Sequence, residues 1–220
     1  MKLDYAAVRA SDEIRTYITQ ADASLIAMGY TEHSFAHVTK CAETAAGLLS
    51  QLGYDERQVE LAKIAGYMHD IGNVVNRVDH AQSGAVMAFR ILDKMGMDPE
   101  DVAVVVTAIG NHDEHTAFPV NAVAAALILA DKTDVRRSRV RNRDTISFDI
   151  HDRVNYAVER SDLTLDKEKK SLTLSLSIDT EISAVMDYFE IFMTRMLLCR
   201  KATEFFGLRF RLNINGSEVL

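Results

Sequence analysis

Apolar positions recur at helical spacing through most of the N-terminal part of the chain. Ser11-Asp12-Glu13 reads as a helix start, and Ile14, Ile18, Leu25 and Met28 continue one apolar face until Gly29. Thr31 is placed to cap a second helix that carries His33 and His37 and runs through Ala42, Ala45, Ala46 and Leu49 to Gly53. Asp55 opens a third, in which Val59, Ala62, Ile64 and Met68 lead to His69-Asp70. A break at Gly72-Asn73 precedes a helix from His80 to about Met95, and Asp98-Pro99-Glu100 restarts the chain, since proline is tolerated in a first turn. Val102 to Ile109 ends at Gly110-Asn111-His112, and Pro119-Val120-Asn121 opens the very apolar stretch Ala122 to Ala130 that delivers Asp131 and Lys132.

The period changes further on. Leu163-Thr164-Leu165 and Leu172-Thr173-Leu174-Ser175-Leu176-Ser177 alternate around the charged turn Asp166 to Lys170, a two-strand hairpin pattern. A long amphipathic helix is expected from about Glu181 to Phe206, then another alternating run, Leu208 to Ile214, closed by the turn dipeptide Asn215-Gly216. The fold class is therefore mainly α: a helical domain over residues 1–145 and a small C-terminal α+β appendage over residues 146–220.

The composition narrows the setting. A chain of 220 residues with 48% apolar content can bury a sizeable core. Net charge is −7, from 25 basic against 32 acidic side chains, which disfavours nucleic acid as a partner. Cys41 and Cys199 fit no CxxC pattern, so a disulfide framework or structural zinc site is not expected, and two reduced thiols point to the cytoplasm. The first residues lack the apolar core of a signal peptide, and no run reaches membrane-spanning length.

The candidate chemistry is a set of imidazoles and carboxylates at helix ends: His37, His69, Asp70, His80, His112 and Asp131. His69-Asp70 follows the apolar run Ile64 to Met68, and Asp131 follows Leu127 to Ala130, so these groups approach the interior. Buried imidazole and carboxylate are costly unless bonded, paired or coordinated. Together they suit divalent first-row metals, namely Mn, Fe, Co, Ni or Zn. Each residue taken singly also has an ordinary reading as a surface histidine, a cap or an ion-pair partner.

These residues resemble the HD superfamily of metal-dependent phosphohydrolases, whose pattern is a His, a later adjacent His-Asp, and a final distant Asp. Here His37, His69-Asp70 and Asp131 in Leu129-Ala130-Asp131-Lys132 match it, and His80 and His112 match the two added histidines of branches holding two metals. The resemblance covers roughly residues 30 to 140 and implies a helical core with one or two divalent transition ions. It also implies cleavage of phosphoesters or phosphoanhydrides of nucleotides. The cyclic-dinucleotide branch ranks low, because Asn73 replaces its lysine, His112-Asp113 replaces its paired histidines, and its Gly-Tyr-Pro motif is missing. His115, three residues past His112, is an alternative ligand with a surface loop as its default, and His151 lies in a polar segment.

The expected reaction is hydrolysis of a nucleotide or small phosphorylated metabolite by a metal-activated hydroxide, with Asp70 linking metals. Lys132, Arg136 and Arg137 are candidates to hold phosphate, with Lys132 also counted as catalytic, and His33, four residues before His37 on one helical face, is a candidate substrate contact. Arg136, Arg137, Arg139, Arg141 and Arg143 also have a plainer reading, pairing with acidic surface of the appendage or of a second subunit. Two other classes compete: a sensor module that reads a nucleotide without turnover, and a di-iron oxygenase. The broad apolar face of the last helix favours a homodimer, which light scattering tests.

Overall fold

The computed structural model describes residues 2–141 and 150–220. The chain separates into two compact units, Met1–Asp131 and Lys132–Leu220. The domain boundary expected between 145 and 146, and Arg143 with it, lie outside the described residues.

The first unit is helical because its caps and apolar spacing agree. α1, Tyr5–Ala10, is capped by the Asp4 carboxylate, which accepts from the Ala7 N–H. It was not visible in the pattern, since six residues carry less than two turns of periodicity. α2, Asp12–Ala27, starts at Ser11 and buries Ile14, Ile18, Ala21 and Leu25 along one stripe. α3 spans Phe35–Leu52 and stops at Gly53, whose φ of 84° is the left-handed cap glycine allows. α4, Glu56–Met68, has Asp55 accepting from the Gln58 N–H. A 3-10 turn, Ile71–Val74, leads to α5, His80–Lys94, and then α6, Pro99–Gly110, with Pro99 in the first turn after the Asp98 cap. α7 is Ala122–Lys132; every residue from Val123 to Ala130 is buried, as expected of a helix apolar all round.

One expectation is corrected here. The helix carrying His37 begins at Phe35, not after Thr31, because Ser34 takes the cap and accepts from the Ala36 N–H. His33 therefore precedes the helix and does not share its face with His37; its Nδ1 is 2.7 Å from the Thr31 carbonyl.

α3 and α4 approach closely. A Cβ built on Gly66 would sit 2.6 Å from the Ala42 Cα, so this contact tolerates only glycine at 66. Arg57 ties the unit together, donating to Asp101 on α6 at 2.7 and 2.9 Å and to the Leu3 carbonyl at 2.8 Å.

In the second unit, a short 3-10 turn (Arg137–Arg139) and α8, Ile150–Ala157, precede β1, Val158–Asp166, and β2, Ser171–Ile178. α9, Val185–Phe205, connects to β3, Arg209–Ile214, and β4, Ser217–Glu218. The sheet order is β1-β2-β3-β4. The expected hairpin is there, antiparallel with Leu163 opposite Leu174 and Leu165 opposite Leu172. β3 pairs β2 in parallel, with Leu174 opposite Leu212, and α9 is the crossover such a pairing requires. Leu172, Leu174, Leu176, Phe210, Leu212 and Ile214 are buried on alternate positions, and α9 buries Tyr188, Phe192, Met196 and Cys199. Met186, Met193, Leu197 and Phe205 of α9 remain exposed. No helix among the described residues is long and apolar enough to cross a membrane.

Candidate metal centre

Five helix termini deliver the imidazoles and carboxylates that the sequence singled out. His37 sits in the first turn of α3, His69-Asp70 just past α4, His80 at the start of α5, His112 just past α6, and Asp131 near the end of α7. All four of these histidines are buried, and Asp70 is 5% exposed.

The structure brings all six together. Asp70 lies at the middle: its Oδ2 is 3.1 Å from His69 Nε2 and 3.6 Å from His37 Nε2, and its Oδ1 is 3.6 Å from His80 Nε2. Asp131 Oδ1 is 3.3 Å from His37 Nε2 and 3.8 Å from His69 Nε2. His80 Nε2 and His112 Nε2 are 3.2 Å apart. Two sets of ligand atoms lie within 4.8 Å of one another: His37, Cys41, His69 and Asp131, and His69, Asp70 and His112.

Backbone carbonyls set the tautomers. His69 Nδ1 is 2.8 Å from the Gly66 oxygen, His80 Nδ1 3.0 Å from that of Arg77, and His112 Nδ1 2.6 Å from that of Ile109. A carbonyl oxygen only accepts, so each Nδ1 carries the proton and, in the neutral ring, each Nε2 presents a lone pair to the cluster. The Nε2 atoms of His80 and His112 thus face each other at 3.2 Å, with Arg77 Nη1 3.4 Å from the former, an approach that a shared cation suits. Moreover, His69 Nε2 and Asp70 Oδ2 are buried yet close no hydrogen bond of normal geometry. Orphaned buried donors and acceptors are rare and call for a cause. A divalent transition ion supplies one, and this donor set fits it.

Electrostatics agree. Burial opposes ionisation of Asp70, but the imidazoles of His69, His33 and His80 outweigh it and hold the carboxyl well below its usual range. Burial likewise disfavours the His69 imidazolium, yet Asp70 and Asp131 raise it above its ordinary value. In the metal-free protein, the His69 contribution to stability is therefore present below about pH 6.5 and lost as pH rises through its raised value; that of Asp70 is present above about pH 4 and lost on acidification. A cation must displace the His69 proton. Mn2+ affinity measured by calorimetry should accordingly rise with pH across and above about 6.5, with proton release visible in buffers of different ionisation enthalpy. An affinity flat from pH 6 to 8 would contradict this.

Three nearby residues escaped the sequence reading. Cys41 lies one helical turn after His37, its Sγ 3.6 Å from His37 Nδ1; the i, i+4 spacing was the available signal, obscured by the search for CxxC. Asn73 Nδ2 donates to Asp70 Oδ1 at 3.0 Å and to the Asp70 carbonyl at 2.9 Å, fixing the carboxylate's orientation. Arg77 places Nη1 3.4 Å from His80 Nε2. Of the remaining candidates, His33 and His115 belong to the first unit and the others to the second. His33 stacks edge-on to His37 with centroids 5.6 Å apart. His115 is exposed, and His151 lies in α8 of the second unit. Lys132, buried at the end of α7, opens the second unit. Arg136 is paired with Asp134 at 2.9 Å, and Arg137 reaches the Tyr156 carbonyl and the carboxylates of Glu159 and Asp179. The Arg137 contacts are with acidic groups of the appendage, whereas Asp134 lies two residues before Arg136.

One family model spans these residues. The HD domain family model matches residues 34–141, a span containing all six. Ribonuclease Y from Opitutus terrae is 30% identical over 112 residues, 51% of this chain but 20% of that protein, so the chain spans about a fifth of that relative's length. The crystal structure of a predicted HD superfamily hydrolase from an uncultured Thermotogales bacterium is 31% identical, covering 56% of this chain and 67% of that one, with a TM-score of 0.46. With its His, His-Asp and Asp residues inside the matched span, the chain carries an HD domain over residues 34–141.

Proposed function

We propose that the chain is a metal-dependent phosphohydrolase that cleaves a phosphoester or phosphoanhydride of a nucleotide or small phosphorylated metabolite. The observation that carries this reading is the close approach of His80 Nε2 and His112 Nε2, 3.2 Å apart, with Asp70 Oδ1 3.6 Å from His80 Nε2. His37, His69, His80, His112, Asp70 and Asp131 would hold one or two divalent ions, with Asp70 facing both imidazole groups. Bound there, such an ion polarises a phosphoryl oxygen and brings the pKa of water from about 15.7 towards 7.

The chain's own residues do the rest. The carbonyls of Gly66, Arg77 and Ile109 keep three rings in the ligating tautomer, and Asn73 keeps the Asp70 carboxylate aimed. Asp70, held well below its usual range, stays ionised and is a charge donor rather than a proton carrier. Lys132, directly after Asp131, and His33, edge-on to His37, remain the candidates to contact the substrate's phosphate. Arg136 and Arg137 would have to leave Asp134, Glu159 and Asp179 to do so.

A panel of nucleoside phosphates, bis-nucleoside tetraphosphates, cyclic dinucleotides and a short RNA, incubated with metal-loaded protein, tests the reading. The RNA arm is included because one relative is a ribonuclease by name. Release of phosphate or nucleotide is expected from a small substrate, ending on chelation and returning with added Mn2+, Fe2+ or Co2+. Turnover that survives complete demetallation overturns it; tight binding without turnover selects the sensor, and oxygen consumption selects the oxygenase.

A further inference from the structure

We propose that Arg77 is a phosphate-binding residue of this centre: its guanidinium grips non-bridging oxygens of the substrate's phosphoryl group once His80 is ligated. The proposal rests on the phosphohydrolase reading for its substrate class and on geometry for its residue. Arg77 lies in the irregular link between the 3-10 turn and α5 and wraps His80 from two sides. Its carbonyl accepts from His80 Nδ1 at 3.0 Å, while its Nη1 sits 3.4 Å from His80 Nε2 and 3.4 Å from Asn73 Oδ1. His80 Nε2 is in turn 3.6 Å from Asp70 Oδ1, so the guanidinium stands at the edge of the cluster itself.

The two sides of His80 make competing claims. Nε2 has one lone pair, which either accepts from Arg77 or ligates a cation. When it ligates, Arg77 loses that acceptor and faces like charge at close range, a situation that an anion bridging the two resolves. The guanidinium also has an aromatic neighbour: it lies over the ring of the exposed Tyr30, 5.6 Å from the centroid. An arginine over an aromatic ring still has its N–H fork for hydrogen bonds, and that fork matches two phosphate oxygens. Both of its side-chain hydrogen bonds are long, at 3.4 Å, and so are weak competitors for a doubly charged anion.

The test uses the full chain loaded with Mn2+ and titrated with inorganic phosphate by calorimetry. Arg77→Met, which keeps the stem against Tyr30 and removes the charge, should weaken phosphate binding by about 10- to 100-fold, the range for losing a charge-assisted pair. Arg77→Lys should recover part of this, and added guanidinium should partly rescue Arg77→Met. Bound metal, counted by mass spectrometry, should equal that of the natural chain. Unchanged phosphate affinity in Arg77→Met overturns the proposal, and so does loss of metal, which would make Arg77 only a support for His80. If the natural chain binds phosphate through Arg77 but turns nothing over, the hydrolase reading fails and this assignment stands.

Discussion

Asp70→Asn is expected to abolish metal-dependent stabilisation and activity together while leaving the metal-free protein folded. The substitution keeps the shape of the side chain but removes the one charge that lies within 3.1 to 3.6 Å of His69, His37 and His80. Losing a group that merely orients a ligand costs about 10- to 100-fold in metal affinity, so losing this carboxylate should cost more, with kcat/KM falling at least about 100-fold. Stability gives an independent reading. At free metal 100 times Kd, the natural chain gains about 2.7 kcal/mol from binding, a rise of several degrees in Tm, and the variant should gain almost none. Comparing Tm with and without Mn2+ for the two proteins decides it; a variant with the full metal-induced rise would show that Asp70 is not a ligand.

Much of this centre was legible because its residues sit where helices end, and helix ends leave local marks. Asp55 before α4 and Asp98-Pro99 before α6 fix the starts, and the apolar runs fix the faces, so the inward direction of His69-Asp70 and Asp131 followed from periodicity. The error at His33 came from two competing caps three residues apart, Thr31 and Ser34, which periodicity does not separate. What stayed hidden depends on contacts distant in sequence. The parallel pairing of β2 with β3 joins residues some forty positions apart, and no local pattern distinguishes it from a second hairpin. Arg136 and Arg137 read as phosphate ligands or as structural cations until Asp134, Glu159 and Asp179 are seen beside them. Arg77 belongs to a link without any period, so only the folded geometry places its guanidinium against His80.

The position that holds the two halves of the centre together is a glycine with no chemistry of its own, and Gly72→Ala should show it. A Cβ at Gly72 would lie 2.0 Å from the His80 carbonyl oxygen and 2.4 Å from the Gly84 nitrogen. Both are backbone atoms of α5, so no side chain can rotate to make room and the helix itself must move. The cost should reach or exceed the upper end of the about 1–3 kcal/mol typical of overpacking. The displaced element is the one that begins with His80, whereas Gly72 follows His69-Asp70 by only two residues, so relief of the clash draws His80 away from Asp70. Stability and metal affinity should therefore fall together, although no ligand has been altered. Gly47→Ala is the matched control: a Cβ there meets nothing within 4 Å, and the site lies inside α3, where alanine gains up to about 1 kcal/mol over glycine. Denaturant titration and Mn2+ calorimetry on both variants separate the outcomes. Gly47→Ala should be more stable with unchanged Mn2+ affinity, and a Gly72→Ala protein that matches the natural chain in both measurements would contradict the close approach of the 3-10 turn to α5.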